Sequence, residues 1–243
     1  MDEKQFGSAL THIFGKNDMG KHLSFAKNKA FYDLTNRLLA ENEKYNLTAI
    51  TDPEKVILLH YADSLTLSPY VKKKAKVIDI GTGAGFPSLP LAICRDDLTV
   101  VAADATEKRV RYVADTAEML GLSNLSAVTL RAEAGGRDPK YREQFDVACA
   151  RGVSNLRVLC EYCLPFVKVG GLFIAMKGQG ADREAGDAKR AIAMLGGKLK
   201  SVVPCPITDG KEVVGHQLVI IEKISATSQT YPRDNSQITK KPL

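Results

Sequence analysis

Eleven consecutive residues, Val77-Ile78-Asp79-Ile80-Gly81-Thr82-Gly83-Ala84-Gly85-Phe86-Pro87, set an acid and three glycines between a β-branched run and a helical stretch. Glycines at a strand-to-helix turn let a ligand come close to the backbone. Their spacing is G-x-G-x-G. A dinucleotide fingerprint, G-x-G-x-x-G, needs glycine where Phe86 stands, which disfavours a pyrophosphate ligand and a nicotinamide enzyme. Asp79 lies within the strand, where a carboxylate is costly unless something polar or cationic meets it. A ligand ammonium meets that need, and S-adenosylmethionine carries one. Asp79 is expected to orient that group through backbone or water, with Gly81, Gly83, Gly85 and Phe86 around the ligand; the alternative is a tight structural turn.

Further acids follow at the ends of later strands. Asp104 closes the second, where such topologies set an acid beside a ribose; capping of the next helix is the competing role, with Thr106 also available for it. Ala132 and Glu133 follow the third, where an adenine ring is presented. A main-chain amide and a carboxylate there suit adenine nitrogens, although a lone loop acid is more often solvated.

The fourth strand ends Phe145-Asp146-Val147-Ala148-Cys149-Ala150-Arg151-Gly152. It lacks the Asn-Pro-Pro-aromatic motif of enzymes that methylate exocyclic amines, and the Cys-Pro nucleophile of C5 pyrimidine enzymes. N7 of guanine fits what remains, because its lone pair carries no proton and needs no general base. Catalysis would then rest on alignment, for which positioning can supply ~7 to 11 kcal/mol. Arg151 is the candidate to position cofactor or base, unless it pairs with Asp146 or caps a helix. Lys177, ending the fifth strand, is a second rim cation suited to RNA phosphate. His60 and Asp63, three apart, can share one helical face toward the pocket or form a buried hydrogen-bonded pair. Cys160 and Cys163 lack a second Cys or His pair, so they read as core thiols and no metal is expected.

The elements that position these residues are legible in the periodicity. Leu23 to Tyr45 and Pro53 to Tyr70 read as helices of an N-terminal extension. From Lys76 the chain alternates strands with helices, the pattern of a parallel sheet. Strands are expected at Val77 to Ile80, Thr99 to Ala103, Leu125 to Leu130, Phe145 to Ala150, Leu172 to Met176, Lys198 to Val203 and His216 to Glu222. Asp209 and Gly210 leave no room for a crossover helix, so the last two strands should pair antiparallel. The expected fold is α/β: a Rossmann-like class I methyltransferase with a mostly parallel seven-stranded sheet, an antiparallel last strand and an N-terminal helical extension. Three regions follow: the extension (1–72), the S-adenosylmethionine-binding domain (73–224) and a flexible basic tail (225–243).

A net charge of +6 and a pI near 9.0 lean toward a polyanionic partner. Lys72, Lys73, Lys74 and Lys76 form a basic run that is either solvated linker or an RNA-binding edge. No apolar run reaches membrane-spanning length and no signal core is evident, so a cytoplasmic protein with no membrane partner is expected.

The chain resembles the bacterial small-subunit ribosomal RNA guanine-N7 methyltransferases, the RsmG or GidB family. The resemblance rests on Tyr45-Asn46-Leu47-Thr48-Ala49-Ile50, His60 with Asp63-Ser64-Leu65, and the run from Asp79 to Pro90. It continues through Asp104 with Lys108-Arg109, Arg131-Ala132-Glu133, Ala150-Arg151 and Lys177-Gly178. It ends in Tyr231-Pro232-Arg233 and Lys240-Lys241-Pro242-Leu243. It implies that Gly81, Phe86, Ala132, Glu133 and Arg151 contact S-adenosylmethionine, and that the acceptor is N7 of a guanine in 16S ribosomal RNA. The tail, with Arg233, Lys240 and Lys241, would help dock RNA on a monomeric enzyme. The sequence departs from the family at Gly152, where alanine is expected, and at Asp234 through Ile238. A ribosome-binding module without chemistry, and a methyltransferase acting on another RNA, are the rival readings.

Overall fold

The computed structural model describes residues 1–152 and 154–243. The chain begins with helices α1 (Glu3–Lys16) and α2 (Phe25–Tyr45). α1 carries a capping box: Asp2 Oδ1 accepts from the Gln5 amide at 2.8 Å while the Gln5 side chain accepts from the Asp2 amide. Ser24 caps α2, accepting from the Lys27 amide. The expected helix from Pro53 to Tyr70 forms in pieces: α3 (Pro53–Val56), a π-helical stretch (Ile57–Ala62), α4 (Asp63–Leu65) and a short 3-10 turn (Ser68–Tyr70).

The sheet strands are β1 (Lys76–Ile80), β2 (Thr99–Asp104), β3 (Leu125–Thr129), β4 (Phe145–Arg151), β5 (Val167–Lys177) and β6 (Gly197–Pro204), closed by Gln217–Lys223. Between β6 and that last strand lies a separate hairpin, β7 (Ile207–Thr208) and β8 (Val213–Val214), which makes the closing strand β9. Sheet order is β3-β2-β1-β4-β5-β9-β6, with β9 antiparallel to both β5 and β6. This is the expected Rossmann-like methyltransferase layout. Asp209 and Gly210 turn the small hairpin instead of joining the last two sheet strands, and Asn17 of α1 exchanges hydrogen bonds with Thr208 to hold it.

Crossover helices α5 (Ser88–Cys94), α6 (Glu107–Met119), α7 (Ala132–Gly135), α8 (Leu156–Cys163), α9 (Ala181–Asp187) and α10 (Lys189–Met194) cover the sheet faces. Alternation along β1 puts Val77 in one apolar cluster and Ile78 in the other. Phe6, Leu10, Phe14, Phe31, Leu34 and Leu38 of α1 and α2 share the first cluster with the sheet. Each such buried side chain contributes about 1.5 to 3 kcal/mol, so the extension is fastened to the sheet and can carry site residues.

The tail is ordered, contrary to the expected flexibility. Arg142 donates to the carbonyls of Thr227 and Tyr231, and Arg137 to that of Pro232. Ile238, in the last helix α11 (Asn235–Lys240), is fully buried, and Arg157 bonds the carbonyls of Pro242 and Leu243. Polar composition suggests a loose chain, but arginines reaching its backbone from the domain, with the burial of Ile238, supply the order.

Candidate active site

Strand order reverses between β1 and β4, so the loops at their carboxyl ends part and open a crevice. A cavity of about 510 Å³ lies there, well within the range of small-molecule sites. The glycine turn contributes Gly81, Gly83 and Phe86, the end of β2 contributes Asp104, and α7 contributes Ala132 and Glu133. Arg151 ends β4 beside them, and His60 reaches in from the extension.

Gly81 and Gly83 have φ of 76° and 58°, conformations in which a side chain is strained. Asp104 Oδ2 accepts from the Gly83 amide at 3.0 Å and Oδ1 from the Thr106 amide at 2.8 Å. The carboxylate is thereby fixed against the turn, with lone pairs left on both oxygens. Thr106 precedes α6 without a side-chain cap bond, so the acid rather than the threonine satisfies that helix start.

Two expected ligand residues sit behind the wall. A Cβ on Gly85 would lie 2.4 Å from Leu89 Cδ1, so this glycine serves the packing of α5 against the turn. Asp79 faces α5 and is wholly buried, accepting from Ser88 Oγ at 2.6 Å, while its Oδ1 finds no hydrogen-bond partner among the described residues. Burial raises its pKa to about 6.

Arg151, His60 and Asp63 form one network. Arg151 Nη1 donates to Asp63 Oδ2 and to the Leu59 carbonyl, both at 3.0 Å, and Nη2 lies 3.2 Å from His60 Nδ1. Leu59 lies in the π-helical stretch, a feature frequent at functional sites. Asp146 is taken by Lys168 and the Lys76 amide, which excludes it as the partner of Arg151. His60 stacks on Phe86, with ring centroids 4.5 Å apart, and its Nε2 lies 2.9 Å from Thr48 Oγ1. The Arg151 guanidinium lies over the other ring neighbour of this stack, 5.3 Å from the Phe86 centroid. Burial, then the charge of Arg151, hold the pKa of His60 down to about 4, so it is neutral at physiological pH and can accept from Arg151.

These two shifts act oppositely on stability. Asp79 binds its proton more tightly folded than unfolded, so its contribution falls as pH rises from about 4 to 6. His60 binds its proton less tightly folded, so its contribution rises with pH between about 4 and 6.5. Each amounts to roughly 3 kcal/mol, and they nearly cancel. Thermal denaturation followed against pH should therefore show Asp79→Asn gaining stability as pH rises through this window, and His60→Gln losing it. Parallel curves for wild type and both variants would contradict this.

Lys177 is not a free rim cation: it pairs with Glu184 at 2.8 Å and donates to the Ser154 carbonyl. Arg233 is likewise occupied, with its guanidinium and backbone amide both on buried Glu161. Lys240 and Lys241 are exposed at the end of α11, as are Lys72, Lys73 and Lys74, whereas Lys76 packs on Phe145. Cys160 and Cys163 are buried free thiols, pushed upward in pKa by burial. Among the described residues no cluster of three His, Cys, Asp or Glu side chains suits a metal.

The cavity wall also includes residues to which sequence reasoning gave no role there. Leu47 and Thr48 come from the Tyr45 to Ile50 motif, Arg109 from Lys108-Arg109 and Arg131 from Arg131-Ala132-Glu133. Tyr162 and Asn235, whose side chains hydrogen-bond to each other, bring the tail to the rim, and no sequence signal pointed to them.

The family model for GidB, described as rRNA small subunit methyltransferase G, matches residues 27–212. The chain belongs to the GidB family. Over its full length it is 42% identical to the ribosomal RNA small subunit methyltransferase G of Acetivibrio thermocellus, covering 100% of both chains. The protein of that name from Clostridium perfringens strain 13 is 46% identical over 83% of this chain and 84% of its own. Among solved structures, the precorrin-6y C5,15-methyltransferase of Geobacter metallireducens has a TM-score of 0.50 at 16% identity, covering 68% of this chain and 88% of that one, a likeness of fold. This GidB chain thus has the fold and family of S-adenosylmethionine-dependent methyltransferases. No helix among its described residues is long and apolar enough to cross a membrane.

Proposed function

We propose that this chain transfers the methyl group of S-adenosylmethionine to N7 of a guanine in the 16S ribosomal RNA of the small subunit. The observation that carries the reading is the single cavity where the glycine turn, Asp104, Ala132, Glu133 and Arg151 meet, in a member of the small-subunit rRNA methyltransferase family. The donor set fits the cofactor. Asp104, fixed by two backbone amides, can accept from ribose hydroxyls, while the main chain at Ala132 and the carboxylate of Glu133 suit adenine. Gly81 admits the ligand against the backbone, and Arg151 supplies a cation for the methionine carboxylate or the incoming base. When bound, the cofactor supplies an electrophilic methyl group on a sulfonium.

The chain's own contribution is alignment. No free general base is needed for an acceptor lone pair that carries no proton, and among the described residues those beside Phe86 are engaged: His60 is tied to Arg151 and Thr48, and Asp63 is tied to Arg151. Asp79, behind the turn, holds the Ser88 hydroxyl. Exposed Lys240 and Lys241 would meet RNA phosphate, making binding salt-dependent. The reading places a cytoplasmic monomer on the small subunit.

The test is incubation with methyl-labelled S-adenosylmethionine and small subunits from cells lacking this enzyme. Label in the 16S RNA is expected. Saturable cofactor binding without transfer to subunits, precursor particles or free 16S RNA would refute the assignment.

A further inference from the structure

Asp63 serves a second group besides Arg151. Its carboxylate is 3% exposed; Oδ2 accepts from Arg151, while Oδ1 has no aligned hydrogen bond among the described residues but lies 2.7 Å from Nδ1 of His216, an ion-pair approach that a protonated ring completes. His216 stands on the link between β8 and β9, outside every motif noted in the sequence apart from opening an expected strand. Its own carbonyl accepts from the Cys205 amide at 2.8 Å, which fixes the backbone there. One buried carboxylate therefore joins the helical extension to the ends of two strands, with a different cation-forming group on each oxygen.

The division between the two oxygens matters. An unhindered arginine and carboxylate prefer a bidentate fork, with both Nη or Nη and Nε on the two oxygens. Here Nη1 of Arg151 meets Asp63 at Oδ2 alone, and His216 stands on the side of Oδ1. The second nitrogen is left to face His60, and the guanidinium stays over Phe86 at the cavity wall. Without His216, the fork could close and draw Arg151 away from both.

We propose that His216 is a positioning residue for methyl transfer: by holding Oδ1 of Asp63 it keeps Arg151 one-toothed on that carboxylate and presented to the cavity. The inference rests on the reading of the cavity as the S-adenosylmethionine site. Its pH dependence follows from the groups around the ring. Asp63 raises the pKa of His216, while partial burial and Arg151 lower it. From the other neighbouring elements, Cys205 lies before β7, neutral His60 lies across Arg151, and Asp182 of α9 lines the groove on the outer side of the ring. The imidazolium holds Oδ1 most firmly, so presentation of Arg151 weakens as pH rises through the titration of His216.

His216→Gln and His216→Ala should be compared with wild type by direct S-adenosylmethionine titration and by kcat and KM on small subunits, from about pH 5.5 to 8.5. Wild type is expected to lose kcat/KM as pH rises across this range. Both variants should be flat with pH and between about tenfold and a hundredfold below the acidic limit of wild type, as for a displaced positioning group. Arg151 still holds Oδ2 of Asp63, so the fold should survive, and a melting temperature taken beside these values separates loss of fold from loss of positioning. A His216→Gln profile that keeps the wild-type pH step, or wild-type kcat/KM in both variants, would overturn the proposal. Failure of wild type itself to bind S-adenosylmethionine would instead overturn the cofactor reading beneath it.

Discussion

Replacing Arg233 with alanine should destabilise the protein by about 3 to 5 kcal/mol, the cost of stranding a buried charge. Glu161 is 0% exposed and accepts from the Arg233 amide at 2.8 Å, from Nε at 2.9 Å and from Nη2 at 2.6 Å. The variant keeps only the amide. Urea denaturation should show the midpoint fall with little change in slope. The double variant Arg233→Met with Glu161→Leu should be less destabilised than Arg233→Ala alone, because it removes the buried charge along with its partner. Loss of the anchor also releases Asn235 from the cavity rim, so S-adenosylmethionine affinity should drop in the same variant. An Arg233→Ala midpoint equal to wild type would mean that the tail is not held through this pair.

The second large effect belongs to the cavity floor. Gly81→Arg should reduce S-adenosylmethionine affinity by at least about a hundredfold, or roughly 2.7 kcal/mol. The new side chain would start from the cavity wall, at a backbone position with φ of 76°. Backbone strain alone costs a non-glycine residue about 1 to 2 kcal/mol of stability there. Gly121→Arg separates strain from occlusion: its φ is 66°, a Cβ there meets nothing within 4 Å, and it is not among the cavity residues. It should lose comparable stability and keep its affinity when both are measured by calorimetric titration and thermal denaturation. Equal affinity losses in the two variants would place the cofactor elsewhere.

The sheet was legible because each strand is a short β-branched run bounded by turn residues, and the antiparallel pairing of its last two strands followed from the lack of room for a crossover helix. The glycine turn, Asp104, Ala132 and Glu133 were legible for a related reason: this topology brings the carboxyl ends of consecutive strands to one crevice. What the sequence hid depends on directions and long reach. Asp79 alternates away from the cavity, and Gly85 is needed by Leu89, neither of which spacing alone distinguishes. Lys177 and Arg233 read as free cations because Glu184 and Glu161 lie in other elements. His216 joins Asp63 across more than half of the chain, and the π-helical stretch that turns Leu59 toward Arg151 has no periodic signature distinct from an α-helix. The order of the tail is not legible in its polar composition because it comes largely from Arg137, Arg142 and Arg157 elsewhere in the fold.

Nucleoside analysis of 16S RNA after reaction with wild type and with Gly81→Arg identifies the atom that receives the methyl group. 7-Methylguanosine is expected as the new methylated nucleoside with wild type and should be absent with Gly81→Arg. A different methylated nucleoside, or 7-methylguanosine formed equally by the variant, would contradict transfer to N7 at this cavity.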